Sequence, residues 1–566
     1  MKNYRQFLLL LFAMMLLVTS QALANVYASN IRVTQQGTQG TFDGKFIDGT
    51  GVSIRFILSD HADSVIVTIK NGSTVVRTLK ATKLALGDTS IVWDGKNNAG
   101  SYVNSATYTL SLTAYDQGYF SFTELVWVDA VGLSTRGMTT VNNPALKSFG
   151  FAFGIDNGGY LATTGISKIA ADGEAWGDSR GVAKLTSTGI ALGGNEARWG
   201  PQADADGYVY VLGRTAKQVY RFHPDTANVV LVDSGYGAYY PFGIAIRNDA
   251  TTKTIAVVVN NNSTTATLTG DSKILTYKVN AGAVTYFGAK DTLVKGNGTV
   301  AYWDVVFGRD SSLYATFIAA SGDWPRSGVA KFSLKGKKLP LTIADTAWTV
   351  RVDSGRVGTL SMFFGTPTDG SSDVVYFVNA RIANGNPPAG QGIYAIYNLN
   401  AARPTRYYAY PDKQLNASIT RSDVSVDPAG NLVYFENSNE EIVIVSPPDG
   451  PNSYTTTVSL PLTVVTDVER TGQIPSSFAL EQNYPNPFNP STMIRFSLPT
   501  SAKVSLKVYD VVGREVAQLV DQEMSAGIYN FRFDAGRLAG GTYFCRMTAI
   551  GAQQSFADTK KLVLLK

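Results

Sequence analysis

Six copies of a strand-and-turn unit recur through the middle of this sequence, and they restrict the fold more than any other feature. Each copy is a short apolar strand that runs into a turn: 181–189, 218–226, 273–282, 328–336, 392–400 and 441–450. A second strand precedes most copies, at 203–213, 307–317, 372–380 and 426–436. Units of about 40–65 residues made only of short strands and turns are typical of propeller blades. The repeat predicts a β-propeller over 121–465, with six blades or, if 125–165 forms one more, seven.

Two outer segments share a second pattern, in which two strands flank a Gly turn and an aromatic-Asp corner leads into a further strand. The parts lie at 65–79, 93–94 and 106–114 in the first segment and at 504–519, 533–534 and 541–549 in the second. Alternating apolar and polar side chains place one strand face in a core and the other in water. We predict Ig-like β-sandwiches at 25–120 and 491–566, with a Pro/Asn-rich linker at 466–490. Since no segment after the leader keeps a helical apolar period, the predicted fold class is all-β.

The amino terminus carries the features of an export signal. Lys2 and Arg5 precede an apolar run at 7–18, and Ala22–Ala24 supplies small residues for cleavage, so we predict a signal peptide at 1–24. The run is shorter than the ~20 apolar residues that span a bilayer. No later segment reaches that length, and we expect no transmembrane anchor.

Charge and cysteine content narrow the function further. The formal net charge is +5, and the basic residues are scattered, with Lys335–Lys338 the densest group. Because nucleic acid requires a contiguous basic face, we expect no nucleic-acid partner. The single Cys545 excludes an intrachain disulfide, and its position in an alternating strand predicts a core thiol.

The stretch FALEQNYPNPFNPSTMIRFSLP (478–499) concentrates prolines before a strand. Prolines 485, 487 and 490 each fix φ and remove an amide donor, and they push the preceding residue toward extended geometry. We expect Asn483, Asn486 and Asn489 to cap the freed backbone. The stretch therefore predicts a stiff extended connection that leads into the last sandwich.

Four motifs near the C-terminus carry a family resemblance. LEQNYPNPFNPST, VYDVVGREVAQLV, GTYFCRM and KKLVLLK follow one another in the last part of the chain, which closely resembles the type A C-terminal sorting domain of the type IX secretion system. The resemblance implies a Gram-negative bacterium, recognition by the type IX machinery, and a product that is secreted or displayed on the outer cell surface. It implies no chemistry in the sorting domain itself.

Two weaker resemblances concern the rest of the chain. IVWDGKNNAGSYVNSATYTLSLTA (91–114) is similar to the Ig-like module of flagellar hook-capping proteins, which also recurs as a spacer in secreted proteins. The middle resembles NHL- or YVTN-type propellers in its repeat pattern only.

The sequence carries few patterns typical of catalytic or metal-binding sites. His61 and His223 each lack a second His at zinc-site spacing. Ser179 lies in a G-x-S-x-G pattern, but a blade strand follows where the nucleophile elbow requires a helix. The DADG segment 204–207 is better explained as a β-turn than as an EF-hand, and a calcium site built from backbone carbonyls remains an alternative. We predict no catalytic residue, metal or cofactor.

Two similar loops supply the candidate binding residues. Segments 174–184 and 320–331 share Gly-Asp, an aromatic residue, Arg and the same strand start. On one propeller face they would place stacking platforms beside charged groups, which suits a glycan or an extended peptide; the alternative is packing between blades. The candidate residues are Trp176, Asp178, Arg180, Asp323, Trp324 and Arg326.

Together these features predict a non-enzymatic binding or scaffold protein, since loops rather than the fold decide a propeller's function. One alternative is a secreted hydrolase or lyase that acts on polysaccharide through carboxylates about 5–9.5 Å apart in the propeller funnel. Another is a structural envelope or filament subunit, which long aromatic edge strands would favour.

Overall fold

A computed structural model describes most of the chain. The described residues are 26–35, 51–101, 103, 106–119, 121–129, 135–156, 165–173, 184–185, 200–214, 216–226, 228–261, 271–280, 286, 289–297, 300–319, 327–352, 356–364, 372–380, 392–411, 423–436, 441–448, 452–458, 468–471, 475–536, 538–551 and 554–565. The predicted signal peptide lies outside them.

The all-β fold class is confirmed. Over the described ranges the regular elements are strands, together with one 3-10 turn at Ile343–Asp345. None of the helices described is long and apolar enough to cross a membrane.

Strands β1 to β6 build the N-terminal domain: β1 (Ala28–Gln35), β2 (Val52–Leu58), β3 (Ala62–Asn71), β4 (Thr74–Leu84), β5 (Gly87–Trp93) and β6 (Thr109–Asp116). Two sheets, ordered β1-β2-β5 and β6-β3-β4, face one another. Alternate residues of each strand meet in one core around the fully buried Trp93. This is the predicted sandwich.

Twenty-four strands follow in the central domain: β7 (Thr123–Asp129), β8 (Thr135–Thr140), β9 (Ala152–Asp156), β10 (Gly165–Ile169), β11 (Lys184–Leu185), β12 (Gln202–Ala203), β13 (Val209–Gly213), β14 (Gln218–Phe222), β15 (Val229–Asp233), β16 (Tyr240–Asn248), β17 (Thr252–Asn260), β18 (Ser272–Asn280), β19 (Asp291–Lys295), β20 (Val300–Phe307), β21 (Leu313–Ala319), β22 (Gly328–Phe332), β23 (Trp348–Arg351), β24 (Arg356–Phe363), β25 (Val374–Ala380), β26 (Gly392–Tyr397), β27 (Thr405–Pro411), β28 (Asp423–Val426), β29 (Leu432–Glu436) and β30 (Glu441–Ser446).

These strands form six four-stranded antiparallel sheets, which we call blades 1 to 6. Blades 1 to 5 are β8–β11, β12–β15, β16–β19, β20–β23 and β24–β27, and blade 6 combines β28–β30 with β7. Because β7 precedes blade 1 and pairs with β30 of blade 6, the first strand of the domain closes the ring against its last. The described residues of segment 125–165 belong to blades 6 and 1, and among them there is no seventh blade.

One copy of the repeat is placed differently from the others. The copies at 218, 273, 328, 392 and 441 form third strands, but Lys184–Leu185 of the first copy is the fourth strand, β11. The third strand of blade 1 is β10, whose sequence GISKI matches GVAKF of β22. The alignment of the first copy was therefore wrong, because an apolar stretch with one lysine satisfies either strand position equally well.

The innermost strands hold the blades together through buried polar contacts. Thr140 Oγ1 lies 2.9 Å from Ser425 Oγ, which joins blades 1 and 6, and the Ala203 N–H donates to Thr139 Oγ1 at 2.9 Å, which joins blades 2 and 1. Gly243 permits the close approach of blades 3 and 4, since a Cβ there would lie 2.5 Å from Asp304 Oδ1. Such contacts fix the ring as one unit.

The last nine strands are β31 (Asn452–Val458), β32 (Val468–Thr471), β33 (Ala479–Leu480), β34 (Ser491–Leu498), β35 (Ala502–Tyr509), β36 (Glu515–Met524), β37 (Gly527–Asp534), β38 (Gly541–Gly551) and β39 (Ser555–Leu564). Strand β31 lies within the range predicted as propeller, yet it pairs with β6 and completes the N-terminal sandwich. Thr455 Oγ1 lies 2.8 Å from Thr113 Oγ1 across this pair. The alternating sequence of β31 did not indicate which domain it joins.

The sandwich also packs directly on blade 1. Tyr27 is fully buried and its hydroxyl donates to the Gly150 carbonyl at 3.1 Å. Its ring contacts Phe149 and Tyr454, with centroids 5.5 and 5.9 Å away. The chain thus enters and leaves the propeller beside the same sandwich.

The C-terminal sandwich has sheets ordered β32-β37-β34-β33 and β36-β35-β38-β39. Strands β32 and β33 lie in the range predicted as linker, so that range contributes to the domain. Phe488 is buried in its core, and its N–H donates to the Val563 carbonyl at 2.9 Å. The Pro/Asn segment therefore clamps β39 as well as leading into β34.

Two of the predicted asparagine caps are confirmed. Asn486 Nδ2 donates to the Lys561 carbonyl at 2.9 Å, and Asn486 Oδ1 accepts from the Val563 N–H at 2.8 Å. Asn483 Nδ2 donates to the Pro485 carbonyl at 3.0 Å. Both side chains replace backbone partners that the prolines cannot supply.

Candidate functional site

The six predicted binding residues, Trp176, Asp178, Arg180, Asp323, Trp324 and Arg326, lie outside the described residues, as does Ser179. The strands that follow the two segments differ in position: β11 is the fourth strand of its blade and β22 the third. In an antiparallel meander those two strands begin at opposite ends of the sheet. The binding role of these six residues therefore stays a prediction.

Two acids lie at the centre of the ring, and we call Asp304 and Asp423 the ring-centre acids. Asp304, on β20 of blade 4, accepts from the Leu360 N–H of blade 5 at 3.1 Å. Asp423, on β28 of blade 6, accepts from the Met138 N–H of blade 1. Each carboxylate therefore joins its own innermost strand to the backbone of a neighbouring blade.

Burial raises the pKa of both ring-centre acids. The pKa of Asp304 rises to about 7, chiefly through loss of solvent, with the hydrogen bond from Leu360 opposing the rise and the charge of Asp423 adding to it. Burial likewise raises the pKa of Asp423 to about 7. Carboxyls with pKa values near neutrality suit general acid–base chemistry. However, the two residues are only 6% and 2% exposed, which restricts access by a substrate.

The carboxylates of the DADG turn are bound by other groups of this chain. Asp204 Oδ1 accepts from the N–H groups of Asp206 and Tyr208, both at 3.0 Å, as in a tight turn. Lys253 of blade 3 reaches back so that its Nζ binds the Asp204 carboxylate and lies 2.6 Å from Asp206 Oδ2. The ammonium group thus provides the positive charge that a calcium ion would otherwise supply. In the described part of the chain, no three His, Cys, Asp or Glu side chains are grouped to hold a metal.

The histidines make local contacts. His223 Nδ1 accepts from the Asp225 N–H at 3.2 Å, and its ring packs edge-on against Tyr208. His61 is exposed, with Nδ1 3.4 Å from Asp60 Oδ1. Neither arrangement positions an imidazole against a nucleophile.

A cluster that sequence reasoning missed links blades 1 and 2. Ser148 Oγ donates to Asp225 Oδ1 at 2.5 Å and accepts from Lys168 Nζ at 2.7 Å. Burial lowers the pKa of Lys168, and the charge of Asp225 partly offsets this. A serine paired with a lysine can form a nucleophile, but Ser148 is completely buried. These side chains serve as an interblade link, and their wide separation in sequence gave no signal.

Exposed aromatic rings mark the rim of blade 5. Tyr407 and Tyr408 on the outermost strand β27 are 49% and 46% exposed. Tyr407 packs against Tyr397 with centroids 5.3 Å apart, and Tyr408 packs against Tyr394 at 5.0 Å. Neighbouring residues of a strand point to opposite faces, so the pair offers one ring to each side of the blade. The segment TRYYAYP carried this signal in the sequence.

Cys545 is a core thiol, as predicted. It is 1% exposed within the C-terminal sandwich core. Burial raises the pKa of its thiol to about 12. The reactive thiolate is therefore scarce at neutral pH.

Comparison with known proteins identifies both outer domains. Residues 41–118 match the FlgD Ig-like domain, and residues 482–564 match the secretion system C-terminal sorting domain. Both predicted resemblances are confirmed. The chain is a type IX secretion cargo, secreted or displayed on the cell surface of a Gram-negative bacterium. No curated protein matches the sequence.

Solved structures match this chain at low identity. Virginiamycin B lyase from Staphylococcus aureus is 9% identical with a TM-score of 0.33, covering 58% of this chain and 99% of that one. Regucalcin, a calcium-binding protein from Agrobacterium tumefaciens, is 10% identical with a TM-score of 0.34, covering 60% and 95%. PorZ, a surface component of the type IX secretion system of Porphyromonas gingivalis, is 10% identical with a TM-score of 0.17, covering 96% and 100%. At these identities and TM-scores the matches do not assign an activity to this chain.

Proposed function

We propose that this exported protein is a non-enzymatic binding scaffold whose propeller rim binds a glycan. The observation that carries the proposal is the pair of half-exposed tyrosines on β27. A half-exposed aromatic ring at a domain's edge offers a stacking surface to a partner. Tyrosine combines an apolar ring face with a polar hydroxyl, which fits the apolar and hydroxyl faces of a pyranose ring.

The surroundings of these rings favour a prepared site. Tyr394 and Tyr397 support the two exposed rings from behind. The Arg406 guanidinium lies 5.3 Å from the Tyr394 ring centroid and donates to the Arg351 carbonyl of blade 4. Rings held in place lose little conformational freedom when a ligand binds.

The ring-centre acids support a scaffold role over a catalytic one. Both side chains are buried, and each carboxylate accepts a hydrogen bond from a backbone N–H group of a neighbouring blade. These hydrogen bonds hold neighbouring blades together. A substrate would have to displace them before it could reach either carboxylate.

A glycan array with the purified mature chain tests the proposal. We expect retention of defined glycans, weakened at least tenfold by Tyr407→Ala together with Tyr408→Ala. Tyr484→Ala is the matched control, because Tyr484 is 81% exposed in the sorting domain. Retention that is unchanged in the double variant, or selective retention of peptides on a parallel array, would contradict the proposal.

A second candidate is a polysaccharide hydrolase or lyase that uses the ring-centre acids. The charge of Asp423 is close enough to Asp304 to add to the rise in the pKa of Asp304. Release of reducing ends or unsaturated products from polysaccharides, abolished by Asp304→Asn and by Asp423→Asn but not by Asp206→Asn, would establish this activity. A failure of all substrates to react with the folded wild-type chain would argue against it.

A further inference from the structure

Three adjacent strands of one sheet in the sorting domain, β35, β38 and β39, carry cationic side chains on their outer face, while the acids Glu515 and Asp521 lie on the neighbouring β36. Lys507 on β35 lies directly opposite Arg546 on β38. Lys561 on β39 lies opposite Phe544, two residues from Arg546. These side chains share the solvent-facing side of three adjacent strands. We call Lys507, Arg546 and Lys561 the cationic face.

This charge arrangement is unfavourable within the domain alone, because like charges directly opposite one another destabilise a sheet. Lys507 is balanced within the domain, since its Nζ lies 3.0 Å from Glu515 Oε2 and Asp521 of β36 also attracts its charge. Neither Arg546 nor Lys561 has a carboxylate within ion-pairing distance among the described residues. An acidic partner would pair with these two cations.

Apolar groups border the cationic face. Phe544 lies between Tyr509 and Lys561 in the cross-strand register and is 37% exposed. The adjoining β35–β36 turn presents Val511 and Val512, which are 68% and 71% exposed. A turn that met only water would carry polar residues here.

The turn holds these valines rigidly. Asp510 Oδ1 accepts from the N–H groups of Val512 and Arg514 at 3.0 and 2.9 Å, and Gly513 has φ of 82°. Positive φ at this position suits glycine and closes the turn tightly. The two apolar side chains are therefore fixed in an exposed position, which lowers the entropy cost of docking.

We propose that the cationic face and the Val511–Val512 tip form one docking surface for a protein of the export machinery. The partner would present carboxylates around an apolar pocket. The charged part alone would also suit an anionic glycan, but the fixed valines require an apolar pocket, which a protein provides. This inference does not depend on the proposed function of the propeller.

Export of the full-length chain from type IX-competent Gram-negative cells tests this surface. We expect Lys507→Glu, Arg546→Glu and Lys561→Glu together, or Val511→Asp with Val512→Asp, to reduce the extracellular fraction at least tenfold and leave the chain in the periplasm. Lys335→Glu, Lys337→Glu and Lys338→Glu form the matched control, since they reverse three exposed charges on the propeller. We expect that control to be exported normally.

Two measurements separate docking from misfolding and from glycan binding. Arg546→Gln with Lys561→Gln removes both charges and keeps most of the side-chain bulk. We expect this double variant to reduce the extracellular fraction at least twofold without a change in Tm. Normal export of both reversal variants would overturn the proposal. So would normal release into the medium with loss of retention on the cell surface, because that outcome assigns the face to a surface glycan.

Discussion

Asp304 accepts a hydrogen bond from the Leu360 N–H at 3.1 Å, so a carboxyl group of blade 4 holds the innermost strand of blade 5. Asp423 performs the same task between blades 6 and 1. Two carboxyl groups thus link neighbouring blades at the centre of the ring. Burial raises the pKa of both to about 7, which favours their neutral form. This has a measurable consequence for stability.

The ring-centre acids should make stability fall as pH rises. Their folded pKa values lie above the unfolded value of about 3.9, so the folded state binds more protons between pH 4 and 7. Their stabilising contribution is therefore complete below about pH 4 and is lost as pH rises through 7. We compare the Tm of the wild type with that of the double variant Asp304→Asn/Asp423→Asn. We expect the difference, wild type minus variant, to decrease from pH 5 to pH 8. A difference in Tm that is independent of pH would contradict this assignment.

The buried pair of Lys253 and Asp204 should be sensitive to loss of its cation. Lys253→Met leaves the fully buried Asp204 carboxylate without its partner, which should destabilise the propeller by about 3–5 kcal/mol. Lys278→Met is the control, because the Lys278 side chain is 66% exposed and 3.9 Å from Asp249; we expect a change within about 0.5 kcal/mol. Urea unfolding measures the stability of both variants. Equal losses of stability in Lys253→Met and Lys278→Met would contradict a special role for the buried pair.

The contact between the first sandwich and blade 1 should couple their unfolding. Tyr27→Ala removes a buried ring that packs on Phe149 and Tyr454, and we expect a loss of about 3–5 kcal/mol. Tyr27→Phe removes only the hydrogen bond to Gly150 and should cost about 1 kcal/mol. Calorimetry should show wild-type sandwich and propeller melting together. Two well-separated transitions for these domains would count against the coupling.

The Asn486 clamp should stabilise the sorting domain. Asn486→Ala removes two hydrogen bonds to β39 and should destabilise this domain by about 1–3 kcal/mol. Asn489 is exposed, so Asn489→Ala should change stability by less than about 0.5 kcal/mol. Hydrogen exchange at Val563 reports the effect directly, because its N–H donates to Asn486. Protection at Val563 that survives in Asn486→Ala would show that the clamp is unimportant.

Local patterns in the sequence predicted the architecture well. Alternation around Val504 and Leu506 identified the sandwich strands, the 218–450 repeats identified the blades, and NYPNPFNP with DVVGRE identified the sorting domain. Each of these signals depends on neighbours in the chain, which is the information a single sequence contains.

Pairings between distant residues were not predictable. Strand β31 reads like any alternating strand, and only tertiary contacts with β6 assign it to the sandwich. Asp304 and Asp423 look like ordinary polar residues beside strands, since their burial arises when six blades meet. The segment GVAKL was aligned with the third strands of the other blades. The third strand of blade 1 is GISKI, which carries the same pattern.

Strand β31 reaches β6 only after the entire ring has been synthesised, because residues 452–458 follow blade 6 in the chain. The first sandwich begins before the propeller in the chain but is completed after it, and a truncation inside the propeller would leave β6 as an open edge. The sorting domain follows that completing strand in the chain, so a chain in which the sorting domain has been synthesised already contains every strand of the first sandwich and of the propeller.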